Sequence, residues 1–155
     1  MKNLVATLGI TGCGKSSWLK DKSPVVETDD LRVELLGSVD DVTQEGLIFK
    51  TAASKIAQLF DVYNTVFLGA TLVDSDYRLS FLQSIKDMCK HSFVIDLIVF
   101  PADRKVSKER IKKDLKAGKA RADSIKYIDD QYAQYLYTMD RLHHEQAFYR
   151  KIENK

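Results

Sequence analysis

Gly9-Ile-Thr-Gly-Cys-Gly-Lys15-Ser16 carries the spacing G-x-x-x-x-G-K-[ST] in full, the Walker A phosphate loop. Each residue type has a mechanical reason to be there. The glycines let the backbone turn through positive φ and keep Cβ atoms away from phosphate. Successive N–H groups then point inward as an anion nest, and a helix opening behind them adds its positive N-terminus. Gly9, Thr11, Gly12, Cys13, Gly14, Ser16 and Ser17 are the candidates to line that nest. Lys15 can reach the β- and γ-phosphates as a point charge, and the Ser16 hydroxyl can ligate Mg²⁺. The loop therefore predicts a nucleoside triphosphate site, with ATP and Mg²⁺ as cofactors. No NKxD guanine signature follows, which disfavours a GTPase.

A second chemical element is Glu27-Thr-Asp29-Asp30-Leu-Arg32, directly after an apolar run at residues 25–28. In an open parallel sheet, ligands sit beyond the carboxyl ends of the strands. Asp29 then lies near the γ-phosphate, where a carboxylate can take or position the proton of an attacking hydroxyl. Arg32, three residues on, shares a helix face with Asp29 and can hold an acceptor phosphate or carboxylate. The plainer alternative is helix capping by Thr28 or Asp29, with Arg32 on a solvated face.

A third element is electrostatic. Residues 104–121 hold nine Lys or Arg against two acids, although the whole chain carries only +2. Such a segment suits an anionic ligand. As a lid over the donor phosphates, it offers Arg110, Lys113 and Arg121 as candidate contacts; a nucleic-acid groove attracts the same charges.

Alternating strand and helix patterns must position these groups. Apolar runs at residues 3–8, 25–28, 65–69 and 93–100 read as strands, and helical patterns fall at 15–22, 43–63, 75–91 and 103–117. A long helical tract follows from Asp123, covering about 124–153, with a break near 138–140. This alternation implies an α/β fold with a parallel sheet and right-handed crossovers.

These motifs together resemble the 5′-hydroxyl polynucleotide kinase domain of bacteriophage, and more broadly the P-loop kinase group that includes zeta-toxin-like enzymes. The resemblance covers about residues 2–137. It rests on the phosphate loop, the Asp29–Arg32 element, Thr71 with Arg78 seven residues beyond, and the basic helix after the fourth strand. It implies four parallel strands in the order 2-3-1-4, flanked by helices, with a basic helical lid over about 103–123. It assigns Asp29 as general base, Arg32 as a contact to acceptor phosphate, Thr71 and Arg78 to the acceptor side, and Arg110 as the lid arginine on the donor phosphates. The implied activity is ATP-dependent phosphoryl transfer to a hydroxyl, foremost the 5′-hydroxyl of a nucleic acid or nucleotide, with single-stranded DNA or RNA ends as partners. A kinase for a nucleoside, nucleotide or other small metabolite is the alternative, and a catalytically weakened binding module a third. Two departures stand out. The family has an Asp just before the Thr at the end of the third strand, where this chain has Gly69-Ala70-Thr71. A second lid arginine is replaced by Asp114, with Lys113 and Lys116 adjacent.

Other features weigh less. Tyr127, Tyr132, Tyr135 and Tyr137 suit packing on an amphipathic helix more often than stacking on bases. Adjacent His143 and His144 point to different helix faces, so His143-His144-Glu145 reads as surface. Cys13 reads as a small filler in the loop.

With 155 residues, 45% apolar and 30% charged, the chain fits one domain, residues 1–155, and is too apolar along its length to be disordered. Two cysteines, one of them in the phosphate loop, make no disulfide framework and point to a reducing cytoplasm. The apolar start is too short for a signal peptide, and no run approaches the ~20 residues of a membrane span.

Overall fold

A computed structural model describes residues 1–39, 41–117 and 124–155. Five strands form one sheet: β1 (Lys2–Leu8), β2 (Val25–Glu27), β3 (Thr65–Gly69), β4 (Phe93–Val99) and β5 (Lys151–Asn154). Every pairing is parallel, and the order is β2-β3-β1-β4-β5. The helices are α1 (Lys15–Leu19), α2 (Thr28–Leu36), α3 (Glu45–Leu59), α4 (Ser75–Met88), α5 (Arg104–Lys116) and α6 (Ser124–Arg141), followed by a 3₁₀ segment, Leu142–Phe148.

The order 2-3-1-4 is present, and a fifth strand extends it. That corrects the expected four-stranded sheet and the expected helical tract to residue 153. β5 has one large apolar residue, Ile152, so its pattern carries almost no strand signal. It is held from its neighbour: Arg150 Nε donates to the Asp96 carboxylate at 2.8 Å, and the Arg150 N–H donates to the Ile95 carbonyl at 2.7 Å. The helical tract breaks at Arg141–Leu142, just after the expected point.

Alternation along the strands builds the core. Leu4, Ala6, Leu8, Val66, Leu68, Ile95, Leu97 and Val99 face α3 and α4 in the main cluster. Val5, Ile98 and Phe100 face the other way, under Trp18 of α1. With β3, β1 and β4 adjacent, the carboxyl ends of the strands open onto the loop after β1, the start of α2 and the segment after β3.

That last segment is held by a buried charge. Arg78 of α4 is fully buried and pairs with Glu145 of the 3₁₀ segment at 2.7 Å; the Glu145 side chain is 8% exposed. Arg78 Nη1 donates to the Leu72 carbonyl at 2.7 Å, and Nε donates to Tyr149 Oη at 3.0 Å. Leu72 has φ +52°, a left-handed backbone that a leucine adopts at a cost of ~1–2 kcal/mol. Burial pushes the Tyr149 hydroxyl well above its ordinary pKa, so it stays a neutral donor and acceptor beside the pair. Thr138 Oγ1 adds a bond to the Val73 carbonyl at 2.6 Å. Glu145, expected on the surface, is thus an interior partner; His143 and His144 are exposed.

Removing one member of a buried pair leaves the other charge uncompensated, which typically costs ~3–5 kcal/mol. Glu145→Ala should therefore lower the urea midpoint strongly, and Glu145→Gln, which keeps hydrogen bonds to Arg78, should lower it less. Equal, small shifts in the two variants would contradict this account of the clasp.

Candidate active site

The phosphate loop leaves β1 and enters α1 with Gly14 as its N-cap residue. Lys15 Nζ donates to the carbonyls of Gly9 and Ile10, both at 2.7 Å, which holds the loop curled around its own lysine. The Gly9 N–H donates to the Thr71 carbonyl at 2.9 Å, tying the loop to the segment that Arg78 clasps. The Thr11 N–H donates to Gln131 Oε1 of α6 at 2.8 Å. α5 lies directly on the loop: a Cβ at Gly12, whose φ is +80°, would stand 3.0 Å from the Ser107 carbonyl oxygen. Gly12 is thus required both by its backbone and by the helix above it. Arg110 Nη1, from the same helix, donates to the Gly12 carbonyl at 3.1 Å.

One cavity of about 930 Å³ joins this loop to the rest of the expected site. Gly12, Lys15, Ser16, Ser17, Asp29, Arg32, Thr71 and Arg110 all line it, with Asp114, Tyr127 and Gln131 at the α5 and α6 side. Arg78 borders it as well, but its guanidinium is turned to Glu145, Leu72 and Tyr149, so it braces the wall instead of reaching toward an acceptor. Thr71 contributes a carbonyl to the loop. Arg121 falls outside the described residues. Of the four tyrosines, Tyr127 lines the cavity; Tyr132 stacks under Arg104, and Tyr135 donates to the Phe100 carbonyl.

α2 begins at Thr28, so Asp29 sits in its first turn and the N-cap position belongs to Glu27, whose side chain makes no capping bond. The capping account of Asp29 therefore does not hold. Arg32 lies where the spacing put it, against Asp29: Nη1 donates to Asp29 Oδ1 at 2.7 Å. Its other side is taken by Glu45 of α3, through Nε at 2.9 Å and Nη2 at 2.6 Å. Burial disfavours the Arg32 cation, but Glu45 and then Asp29 outweigh it and hold its proton more tightly than usual. Glu45 was not foreseen; α2 and α3 must pack before it meets Arg32.

Glu27 was also given no role by its sequence. Its Oε1 accepts a hydrogen bond from Ser16 Oγ at 3.3 Å, and it lines the cavity. Burial, then the neighbouring Asp30, raise its carboxyl above the usual range, while Ser16 pulls the other way. A hydroxyl and a carboxylate are hard oxygen donors of the kind Mg²⁺ takes. Among the described residues, no group of three or more His, Cys, Asp or Glu forms a self-sufficient metal site. A cation here must share its ligands with phosphate oxygens, as Mg²⁺ usually does, and the residues present fit that arrangement.

The remaining wall comes from α3, α4 and the residues before α3. Val39, Val42, Phe49 and Tyr77 form an apolar side, with the Phe49 and Tyr77 rings edge to face at 5.0 Å. No helix among the described residues is long and apolar enough to cross a membrane.

No family model matches the chain, and no curated protein matches it. Solved structures do. A chain from the Pnkp1/Rnl/Hen1 RNA repair complex matches at TM-score 0.74 and 18% identity, over 90% of this chain and 46% of that one. A second Pnkp1/Rnl/Hen1 complex matches at 0.54 and 22%, over 70% and 38%. A putative kinase from Chloroflexus aurantiacus matches at 0.54 and 15%, over 82% and 74%. The chain spans less than half the length of the repair-complex chains it matches. At these identities the likeness speaks for the fold: α/β, a parallel sheet with its first four strands in the order 2-3-1-4, and a P-loop kinase-like arrangement.

Proposed function

We propose that this protein transfers the γ-phosphoryl group of ATP to a hydroxyl acceptor, with residues 1–155 acting as one kinase unit. The observation that carries this reading is the single cavity in which the phosphate loop, Arg110 and Asp29 meet. The loop N–H groups and Lys15 bind the donor phosphates, Lys15 exchanging its carbonyl partners for phosphate oxygens. Ser16 offers its hydroxyl to the Mg²⁺ of the nucleotide. When bound, that cation neutralises charge on the β- and γ-phosphates. Asp29 holds and then accepts the proton of the acceptor hydroxyl. Arg110, on the helix that covers the loop, stabilises charge on the transferring group.

Arg32 acts on Asp29. The resemblance makes it a contact to acceptor phosphate, but here each of its three nitrogens already donates to Asp29 or Glu45, and Nη1 also to Thr28 Oγ1. Releasing it to a phosphate would leave Glu45 facing that phosphate. The favoured acceptor is therefore compact, with an uncharged neighbourhood around its hydroxyl and an apolar or aromatic part for Phe49 and Tyr77. A nucleoside has that chemistry. The 5′-hydroxyl of single-stranded DNA or RNA is the second reading, favoured by the basic α5 and by the fold likeness to a chain of an RNA repair complex.

Lys15→Ala should abolish transfer and weaken ATP binding, and Arg110→Ala should cut turnover on the order of 10³-fold, as loss of an arginine finger does. Wild-type turnover in the first variant would remove the basis of the donor-site assignment. An unchanged rate in the second would return α5 to a solvated face.

Asp29→Asn tests the mechanism, because it keeps size and hydrogen bonding but cannot take a proton. Single-turnover rates should fall ~10²–10⁴-fold while ATP affinity stays near wild type. Arg32→Ala should lower the same rate for acceptors with and without phosphate, since it releases Asp29. If it instead raised KM for phosphate-bearing acceptors alone, Arg32 would be the phosphate contact that the resemblance implies.

A further inference from the structure

Glu27 and Gly69 face each other across the β2–β3 ladder as register partners. Gly69 is the last residue of β3. The space beside it is filled from the neighbouring strand. A Cβ at Gly69 would lie 2.8 Å from Glu27 Cγ and 3.1 Å from Glu27 Oε1. The Glu27 side chain therefore crosses over the glycine, and it can do so because no side chain stands there. Beyond that crossing, its Oε1 meets the Ser16 hydroxyl at 3.3 Å. Ser16 opens α1 as its second residue, next to Lys15.

We propose that Glu27 holds the Mg²⁺ of the bound nucleotide together with Ser16, its carboxylate reaching across Gly69 from β2 to the Ser16 hydroxyl. This rests on the nucleotide-site reading above and adds a named residue to it. The carboxylate and the hydroxyl form the protein's share of the ligand set, directly or through a metal-bound water, and phosphate oxygens supply the rest. A glycine at residue 69 and a glutamate at residue 27 are then two halves of one device. Restoring a side chain at Gly69 while Glu27 remains should spoil it. Moving the carboxylate from one strand to the other should restore it, because the third atom near the Gly69 position is Leu19 Cδ1, at 2.7 Å, the end of a flexible side chain.

The test is calorimetric titration of the full chain with the non-hydrolysable ATP analogue AMP-PNP, in 5 mM MgCl₂ and separately in EDTA. Wild type should bind more tightly with Mg²⁺. Glu27→Gln should keep the EDTA affinity and lose about 10-fold or more of the Mg²⁺-dependent gain, the usual effect of removing a group that supports a bound metal. Gly69→Asp alone should lose the gain as well, and Glu27→Ala combined with Gly69→Asp should recover a substantial part of it. Thermal melts of each variant separate lost metal binding from lost folding. A Glu27→Gln protein with the full Mg²⁺ gain, or one weakened equally in both buffers, would overturn the assignment. Failure of the double variant to recover any gain would overturn the claim that carboxylates at residues 27 and 69 reach the same place. A wild-type protein that binds the analogue in neither buffer would overturn the nucleotide-site reading itself, a result distinct from the others.

Discussion

One backbone hydrogen bond, from the Gly9 N–H to the Thr71 carbonyl, anchors the entrance of the phosphate loop to a segment that is itself clasped from α4 and α6. Residues 70–75 leave β3 through a left-handed Leu72, a conformation with no intrinsic preference behind it. Arg78 holds the Leu72 carbonyl, Glu145 neutralises Arg78, and Thr138 takes the Val73 carbonyl. An anion nest works only if its N–H groups stay converged before phosphate arrives, since unpaired inward donors otherwise seek other partners. Glu145 and Thr138 thus act on the phosphate loop through the residues after β3. Arg78 contributes as a strut, and its charge is spent inside the protein.

Charge divides the cavity by element. The donor side has Lys15 and Arg110 beside the nest. The α2 side has Glu27, Asp29 and Glu45, with Arg32 as the cation between the last two. The proposed phosphoryl transfer needs positive potential where charge develops and a proton acceptor opposite, and this division supports that reading. It also bears on the acceptor. A polyanionic strand entering along α2 would meet carboxylates before it met Arg32, whereas an uncharged hydroxyl compound would meet no such repulsion.

Much of this was legible in the residues. The phosphate loop, the Asp29–Arg32 pair on one helix face, and the four apolar strands were written in local spacing, and the structure places each of them so. What escaped was non-local. Glu45 reaches Arg32 only after α2 and α3 pack, and Glu145 reaches Arg78 across 67 residues of sequence. β5 escaped because an edge strand with one large apolar residue leaves almost no pattern; the buried Asp96 inside an otherwise apolar β4 was the signal that a cationic partner had to arrive beside it. The place of Glu27 had a signal too. A glycine that ends one strand leaves room for the glutamate that ends its neighbour to cross over it, once the strand order places them side by side.

The central claim is that ATP's γ-phosphate leaves for a hydroxyl in this cavity. The direct measurement is transfer of radiolabel from [γ-³²P]ATP with Mg²⁺ across a panel of nucleosides, nucleoside monophosphates, small hydroxylated metabolites, and 5′-hydroxyl DNA and RNA. The account predicts labelled ester on an acceptor hydroxyl, with nucleosides labelled faster than oligonucleotides. Protein that binds ATP yet leaves the label on nucleotide throughout the panel would contradict it and make this chain a binding module with a kinase's fold.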